Sequence, residues 1–186
     1  MKKLLIPLLF LALIPMQACT ILILNKYTNI RSYSDDLNNE QRHLLTRVVM
    51  PREWLSNIGS ATMLFEKRGN PYNSGCSVYI SIERGSNSFR SEESGYLKVD
   101  GEVFPLLLRE LSLERDYDLS VDDDDGGDFT IDRKITEKFR IELTPAMIEA
   151  FAGGQRAEFR FYFGPEPATY RLKGAGMRKV KRLLRK

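Results

Sequence analysis

From Ala61 onward the chain mostly alternates apolar and polar residues with a period of two, which is typical of strands that bury one face. Between two such runs lies Asp100-Gly101. This dipeptide is the strongest short signal for a β-hairpin, because both central residues of a type I′ turn need a positive φ. Strands are therefore predicted at Met63–Arg68, Cys76–Glu83, Tyr96–Leu108, Phe139–Leu143, Ala157–Phe163 and Thr169–Lys173.

Stretches rich in Gly, Ser, Asn and Asp separate these runs and predict loops. In one of them four consecutive aspartates repel one another, which favours a solvated surface segment. The predicted loops and turns are Gly69–Gly75, Gly85–Gly95, Val121–Gly127 and Gly164–Pro167.

A first helix is predicted within Ser34–Val49, where Ser34 or Asp35 can cap it and Pro51 follows. Its apolar face would consist of Leu37, Leu44, Leu45 and Val48. A second, short helix is predicted near 145–152, since Thr144 suits the N-cap, Pro145 the first turn and Gly153-Gly154 the end.

A third helix is predicted from about Ala175 to the C-terminus. One side carries the apolar stripe of a core-facing helix, formed by Met177, Val180, Leu183 and Leu184. The other side carries six basic residues and no acidic one: Arg178, Lys179, Lys181, Arg182, Arg185 and Lys186. The favoured interpretation is a helix that packs on the sheet, and the alternative adds contact between its basic face and anionic lipid headgroups.

Together these elements predict an α+β fold with a mainly antiparallel β-sheet, and a β-sandwich is the alternative. The predicted organisation is a signal peptide at 1–18, a membrane-proximal segment at 19–34 and a single globular α+β domain at 35–186. The chain shows no internal repeat.

The N-terminus begins with Met1-Lys2-Lys3 and continues with an apolar run to Met16, as secretory signals do. Met16-Gln17-Ala18-Cys19 then resembles the lipobox of bacterial lipoproteins, in which a small residue precedes the lipidated cysteine. This resemblance covers the first 19 residues. It implies that Cys19 carries the lipid and anchors the protein in the bacterial cell envelope. Thr20 in place of an aspartate favours the outer membrane, facing the periplasm.

Two alternatives to the lipobox remain open. Ordinary cleavage after Ala18 would require a small residue at Met16 as well. An uncleaved anchor would use Leu4–Leu24, which is long enough to cross a bilayer but contains Gln17 and two prolines.

Composition narrows the function classes. The chain holds 28 Lys and Arg against 25 Asp and Glu, and cleavage would remove Lys2 and Lys3. A nearly neutral exported domain disfavours nucleic-acid binding. With Cys19 lipidated, Cys76 has no disulfide partner, and its phase with Val78 and Ile80 predicts a small buried side chain.

Sequence motifs for catalysis or metal binding are weak. His43, the single histidine, lies in a polar stretch and is predicted to be a surface residue. The 121–132 segment does not match the spacing of an EF-hand, and Gly174 and Gly176 favour a tight turn over a phosphate site. We therefore predict no catalytic residue, no metal ligand and no cofactor.

The remaining candidate is a polar sheet face. Glu142 and Glu158 are expected on neighbouring strands among arginines, where cross-strand charge pairing alone explains such a face. A binding surface there would consist of Arg140, Glu142, Arg160, Tyr162 and Arg171. The favoured hypothesis is a non-enzymatic envelope lipoprotein that binds a protein or other envelope partner. The alternatives are a carboxylate-dependent hydrolase of envelope glycans or peptides and a purely structural lipoprotein.

Overall fold

The structure is a computed structural model, which describes residues 29–35, 40–53, 57–69, 74–121 and 129–186. Its strands are β1 (Arg31–Asp35), β2 (Glu40–Val49), β3 (Ile58–Gly69), β4 (Ser74–Gly85), β5 (Ser91–Val99), β6 (Glu102–Leu107), β7 (Arg109–Val121), β8 (Phe129–Leu143), β9 (Arg156–Phe163) and β10 (Glu166–Lys173). They form an antiparallel six-stranded sheet, in the order β1-β2-β3-β4-β8-β7, and an antiparallel four-stranded sheet, in the order β10-β9-β5-β6.

The two sheets pack face to face around one hydrophobic core. Period-two alternation puts the buried apolar side chains on the inner faces of the strands, where aromatic rings join the sheets. Phe139 of β8 lies 5.7 Å from Phe161 of β9, and Phe65 of β3 lies 6.3 Å from Phe159 of β9, measured between ring centroids. The sequence prediction of a mainly antiparallel β protein is confirmed.

Both helices pack against the core. Helix α1 (Pro145–Gly153) begins where the Thr144 hydroxyl accepts a hydrogen bond from the Met147 amide at 3.3 Å. Its Phe151 packs against both sheets, 6.3 Å from Phe65 and 6.2 Å from Phe159. Helix α2 (Ala175–Leu184) packs on β2, β3 and β10. The predicted short helix and C-terminal helix are therefore confirmed.

The β5–β6 hairpin has the predicted turn. Asp100 and Gly101 both have positive φ, 47° and 120°, and Val99 pairs with Glu102 across them. A side chain at Asp100 tolerates this conformation because its carboxylate accepts hydrogen bonds from the Gln155 and Arg156 amides. The turn is thereby attached to the start of β9.

Two sequence predictions are wrong. The segment predicted as a helix at Ser34–Val49 contains β2, whose Leu45 and Val49 face the core with strand periodicity. The predicted loop Gly85–Gly95 ends early, because β5 begins at Ser91 and pairs with β9. In addition, β1 begins at Arg31, inside the predicted membrane-proximal segment. Within the described ranges, no helix has the length and apolar character needed to cross a membrane.

Candidate functional site

The outer face of the six-stranded sheet carries a connected set of polar side chains across β2, β3, β4 and β8. These residues have the opposite phase to the core residues of the same strands, so their side chains point away from the four-stranded sheet. We call this set the outer belt, and its members are Glu40, Arg42, Glu66, Arg68, Tyr79, Arg140 and Glu142.

Glu66 is the centre of the outer belt. It is only 5% exposed although it lies on the outer face of the sheet. Its carboxylate accepts a hydrogen bond from Arg68 Nη2 at 3.0 Å, and the same guanidinium nitrogen contacts the Tyr79 hydroxyl at 3.3 Å. Burial pushes the pKa of Glu66 upward, but hydrogen bonds from Arg68 and Tyr79, with the charges of Arg68 and Arg42, outweigh it and lower the pKa. Glu66 is therefore a fixed anion that orders its neighbours.

Arg140 extends the belt to β8. Its Nε and Nη2 atoms lie 3.3 and 3.2 Å from the Ser77 hydroxyl, and Nη2 lies 3.0 Å from Glu142. The guanidinium carbon is 5.8 Å from the centre of the Tyr79 ring, within the range of a cation–π contact. Three partners, Ser77, Glu142 and Tyr79, thus hold this arginine in one orientation.

A groove of about 410 Å³ lies beside Glu66, at the β1 side of the sheet. Glu40 binds Arg42 in a two-pronged ion pair at 3.1 and 3.2 Å along its wall. Tyr33, which is 51% exposed, and Leu44 add apolar surface to the same groove. Charged and apolar groups therefore converge here, as they do at protein-binding surfaces.

A second groove, of about 310 Å³, lies between β6 and the other end of the belt. Arg140 and Glu142 line it together with Arg109 of β7 and Met147 of α1. Leu107, the last residue of β6, is 78% exposed at its edge. Two of the predicted surface residues, Arg140 and Glu142, therefore lie together at a groove.

The other three predicted surface residues are elsewhere. Arg160, Tyr162 and Arg171 lie on the outer face of the four-stranded sheet, which points away from the outer belt. The expectation that Glu142 and Glu158 occupy neighbouring strands is wrong, since β8 and β9 belong to different sheets.

On the outer face of the four-stranded sheet, the polar groups are paired with one another. Arg171 binds Glu158 directly across the strands at 2.7 Å, and Arg160 Nε donates to the Thr169 hydroxyl at 3.2 Å. The ring of Tyr162 packs edge-on against Tyr96, with 6.2 Å between the ring centroids. Cross-strand pairing accounts for the arrangement of this face.

The histidine and the two cysteines were each predicted to have a particular environment. His43 is half-buried on β2, where its Nδ1 lies 2.8 Å from the Ser32 hydroxyl. Burial, then the charges of Lys186 and Lys67, lower its pKa. Cys76 is 4% exposed in the core, as predicted, while Cys19 lies outside the described residues.

Metal and phosphate candidates contribute little to this site. Within the described parts of the chain, no group of three or more His, Cys, Asp and Glu side chains is placed to hold a metal ion. The predicted aspartate loop at 122–128 lies outside those parts. Gly174 has a φ of 57° and precedes α2, which is the predicted tight turn.

One buried ion pair was missed in the sequence. Arg84 and Glu137 are on the inner faces of β4 and β8, in phase with Ile82 and Phe139, and their side chains are 6% and 3% exposed. A charged residue in the apolar phase of a strand was the available signal. Its partner was not predictable, because the pairing of β4 with β8 joins residues that are distant in sequence.

Comparison of the chain with protein-family models, with curated proteins and with solved structures finds no match.

Proposed function

We propose that the protein is a non-enzymatic binding module of the bacterial envelope, held at the membrane by a lipid on Cys19. Its partner is a protein, which binds the outer belt and the groove beside Tyr33. The observation that carries the proposal is the buried carboxylate of Glu66 on the outer face of the six-stranded sheet. This anion fixes the arginine and tyrosine side chains around it.

Ordered arginine and tyrosine side chains favour binding for two reasons. They lose little further rotamer entropy when a partner arrives, which removes a cost of about 0.5–1.5 kcal/mol per side chain. Arg and Tyr are also enriched among the residues that dominate binding energy at interfaces. The outer belt supplies Arg42, Arg68, Arg140 and Tyr79, and the exposed ring of Tyr33 lies beside them.

The lowered pKa of Glu66 favours binding over hydrolysis. A glycoside hydrolase needs one carboxylic acid that stays protonated near neutral pH, and this requires a raised pKa. Glu66 has the opposite shift, caused by its arginine and tyrosine neighbours after they overcome the effect of burial. The groove that contains Glu40 and Glu66 therefore supports an ion-paired recognition surface.

The test is co-purification from solubilised envelopes. Tagged full-length protein would be captured after mild cross-linking, and its partners identified by mass. Three proteins are compared: the wild type, a Tyr33→Ala/Arg42→Ala variant of the belt side, and a Lys98→Ala/Arg160→Ala variant of the opposite sheet. We expect a partner of the wild type to be lost from the first variant and kept by the second.

Two results would contradict the proposal in different ways. If no protein is enriched with the wild type, the binding function is wrong. If the Lys98→Ala/Arg160→Ala variant alone loses the partner, the partner binds the four-stranded sheet and the assignment of the face is wrong.

A further inference from the structure

Helix α2 has two sharply different sides. Gly176, Met177, Val180, Leu183 and Leu184 are buried against the core. At 100° per residue, these positions fall within an arc of about 120°. The basic residues centre on the opposite arc, where Arg178, Arg182, Arg185 and Lys186 are exposed and Lys179 is half-buried.

Within the described residues, none of these five basic side chains forms an ion pair with a carboxylate. Several arginines elsewhere in the described residues are paired with acids, as Arg171 is with Glu158 at 2.7 Å. The basic face therefore concentrates positive charge without ion-paired acids, on a chain whose total charge is nearly balanced.

The C-terminal end of this face adjoins β1. Lys186 Nζ lies 3.3 Å from the hydroxyl of Ser32, the second residue of β1. Ser32 also contacts His43, whose pKa is lowered by burial and then by the charges of Lys186 and Lys67. Positive charge is thus concentrated beside the N-terminal strand.

The length of chain before β1 limits how far this face can lie from the proposed anchor. At 3.3–3.6 Å per residue, residues 20–30 reach no more than about 40 Å, whatever conformation they adopt. A lipid on Cys19 would therefore keep the basic face close to the bilayer, and binding there costs little additional translational entropy because the protein is already tethered.

We propose that the basic face of α2 docks on the anionic phospholipid headgroups of the membrane that anchors the protein. The inference rests on the proposed lipid anchor. It adds that the basic face determines how the anchored domain is oriented on the membrane. Docking turns α2 toward the bilayer. The charges of Arg178, Arg182 and Arg185 approach lipid phosphates within the screening length, which is about 10 Å at 0.1 M salt.

The test uses the full-length lipidated protein in nanodiscs of phosphatidylcholine alone or mixed with phosphatidylglycerol. A donor dye is attached through Ala175→Cys at the exposed start of α2, and acceptor dyes label the lipid headgroups. We expect greater energy transfer in anionic discs than in neutral ones at low salt, and a decline of the difference as salt rises. Cys76, being buried, should stay unlabelled.

Two triple variants distinguish docking through the basic face of α2 from a general effect of net charge. Each basic residue contributes about 1 kcal/mol near an anionic surface, equivalent to roughly a fivefold change in the docking equilibrium. Arg178→Gln/Arg182→Gln/Arg185→Gln should therefore weaken docking by more than about a hundredfold and abolish the difference between discs. The matched control, Lys98→Gln/Arg115→Gln/Lys134→Gln, removes the same charge from exposed positions and should behave like the wild type.

Equal transfer in both kinds of disc for the lipidated wild type would overturn the docking inference and leave the anchor intact. If both triple variants lose the difference between anionic and neutral discs equally, the docking inference is also overturned. Net charge, and not the basic face of α2, would then cause the difference. Absence of lipid on Cys19, measured by intact mass, would instead contradict the proposed anchor. Circular dichroism and the melting temperature check that each variant is folded.

Discussion

Arg84 and Glu137 form a buried ion pair on the inner face of the six-stranded sheet, with 2.7 Å between Arg84 Nε and Glu137 Oε1. The second carboxylate oxygen of Glu137 accepts a hydrogen bond from the Ser91 amide, and Arg84 Nη1 donates to the Ser88 carbonyl. The pair therefore connects β4 of the six-stranded sheet with the segment that leads into β5 of the four-stranded sheet.

Removing one partner of this pair should be costly. Glu137→Gln keeps the shape but leaves the Arg84 charge buried without a counter-charge, which costs about 3–5 kcal/mol. Urea denaturation should show this loss. The Arg84→Met/Glu137→Leu double variant should regain part of it, because the buried charge is removed while the Ser91 amide and the Ser88 carbonyl lose these partners. A loss of less than about 1 kcal/mol in Glu137→Gln would mean that water or another group compensates Arg84.

Gly95 should tolerate no side chain. A Cβ atom there would lie 2.6 Å from the Arg160 carbonyl oxygen and 3.1 Å from the Phe161 ring. Because the nearest atom belongs to the backbone of β9, Gly95→Ala should destabilise the protein by about 1–3 kcal/mol. The matched control is Gly75→Ala in β4, where no atom lies within 4 Å and the melting temperature should change little. Equal melting temperatures for the two variants would show that β5 and β9 can separate locally.

Gly95 also shows why the loop predicted at Gly85–Gly95 contains the start of a strand. Glycine, serine and asparagine at 85–95 indicate a loop by composition. β5 nevertheless begins in that stretch, and it has a glycine at position 95 because β9 approaches closely there, where a Cβ would clash. Such close approach depends on the pairing of two strands that are distant in sequence, so a local pattern cannot reveal it.

The error in β2 has a different cause. Leu45 and Val49 face the core, while Leu44 lines the groove on the outer face and Val48 is 51% exposed. Apolar residues on both faces of a strand imitate the i, i+3, i+4 spacing of a helix. Pairing with β1 and β3 decides the outcome, and the β-branched Thr46, Val48 and Val49 suit a strand.

The candidate surface was partly predictable. Arg140 and Glu142 were correctly placed on a solvent-facing side of a strand by their alternation with Phe139 and Ile141. Their separation from Arg160 was not predictable, because α1 carries the chain from β8 in one sheet to β9 in the other. Adjacent strands in sequence are usually adjacent in space, and here they are not.

Acid should weaken the β5–β6 turn through Asp100. Hydrogen bonds from the Gln155 amide, at 2.7 Å, and the Arg156 amide, at 2.9 Å, lower the pKa of its carboxyl below the ordinary value. A folded-state pKa below the unfolded one gives stabilisation that is present above the unfolded pKa of about 3.9 and is lost as pH falls through the folded value. Asp100→Asn should therefore melt at a lower temperature than the wild type at pH 7, and the gap should narrow below about pH 4.

Asparagine is the suitable replacement at this position because it tolerates the positive φ of Asp100. Glu102→Gln, at an exposed carboxyl on the adjoining strand, is the control for a general loss of negative charge. A gap between wild type and Asp100→Asn that stays constant from pH 7 to pH 3 would contradict the assigned role of the carboxylate.

Thiol titration tests the anchor and the core together. Burial raises the pKa of the Cys76 thiol to about 12, so the reactive thiolate is scarce at pH 8, and the side chain is also shielded from reagent. Lipidation of Cys19 would occupy the other thiol. The mature wild type should therefore release no chromophore from Ellman's reagent when native and one equivalent in guanidinium. Cys76→Ser should release none in either state. Two equivalents from the denatured wild type would show that Cys19 carries no lipid, whereas rapid reaction of one equivalent in the native, lipidated protein would show that the core around Cys76 opens readily.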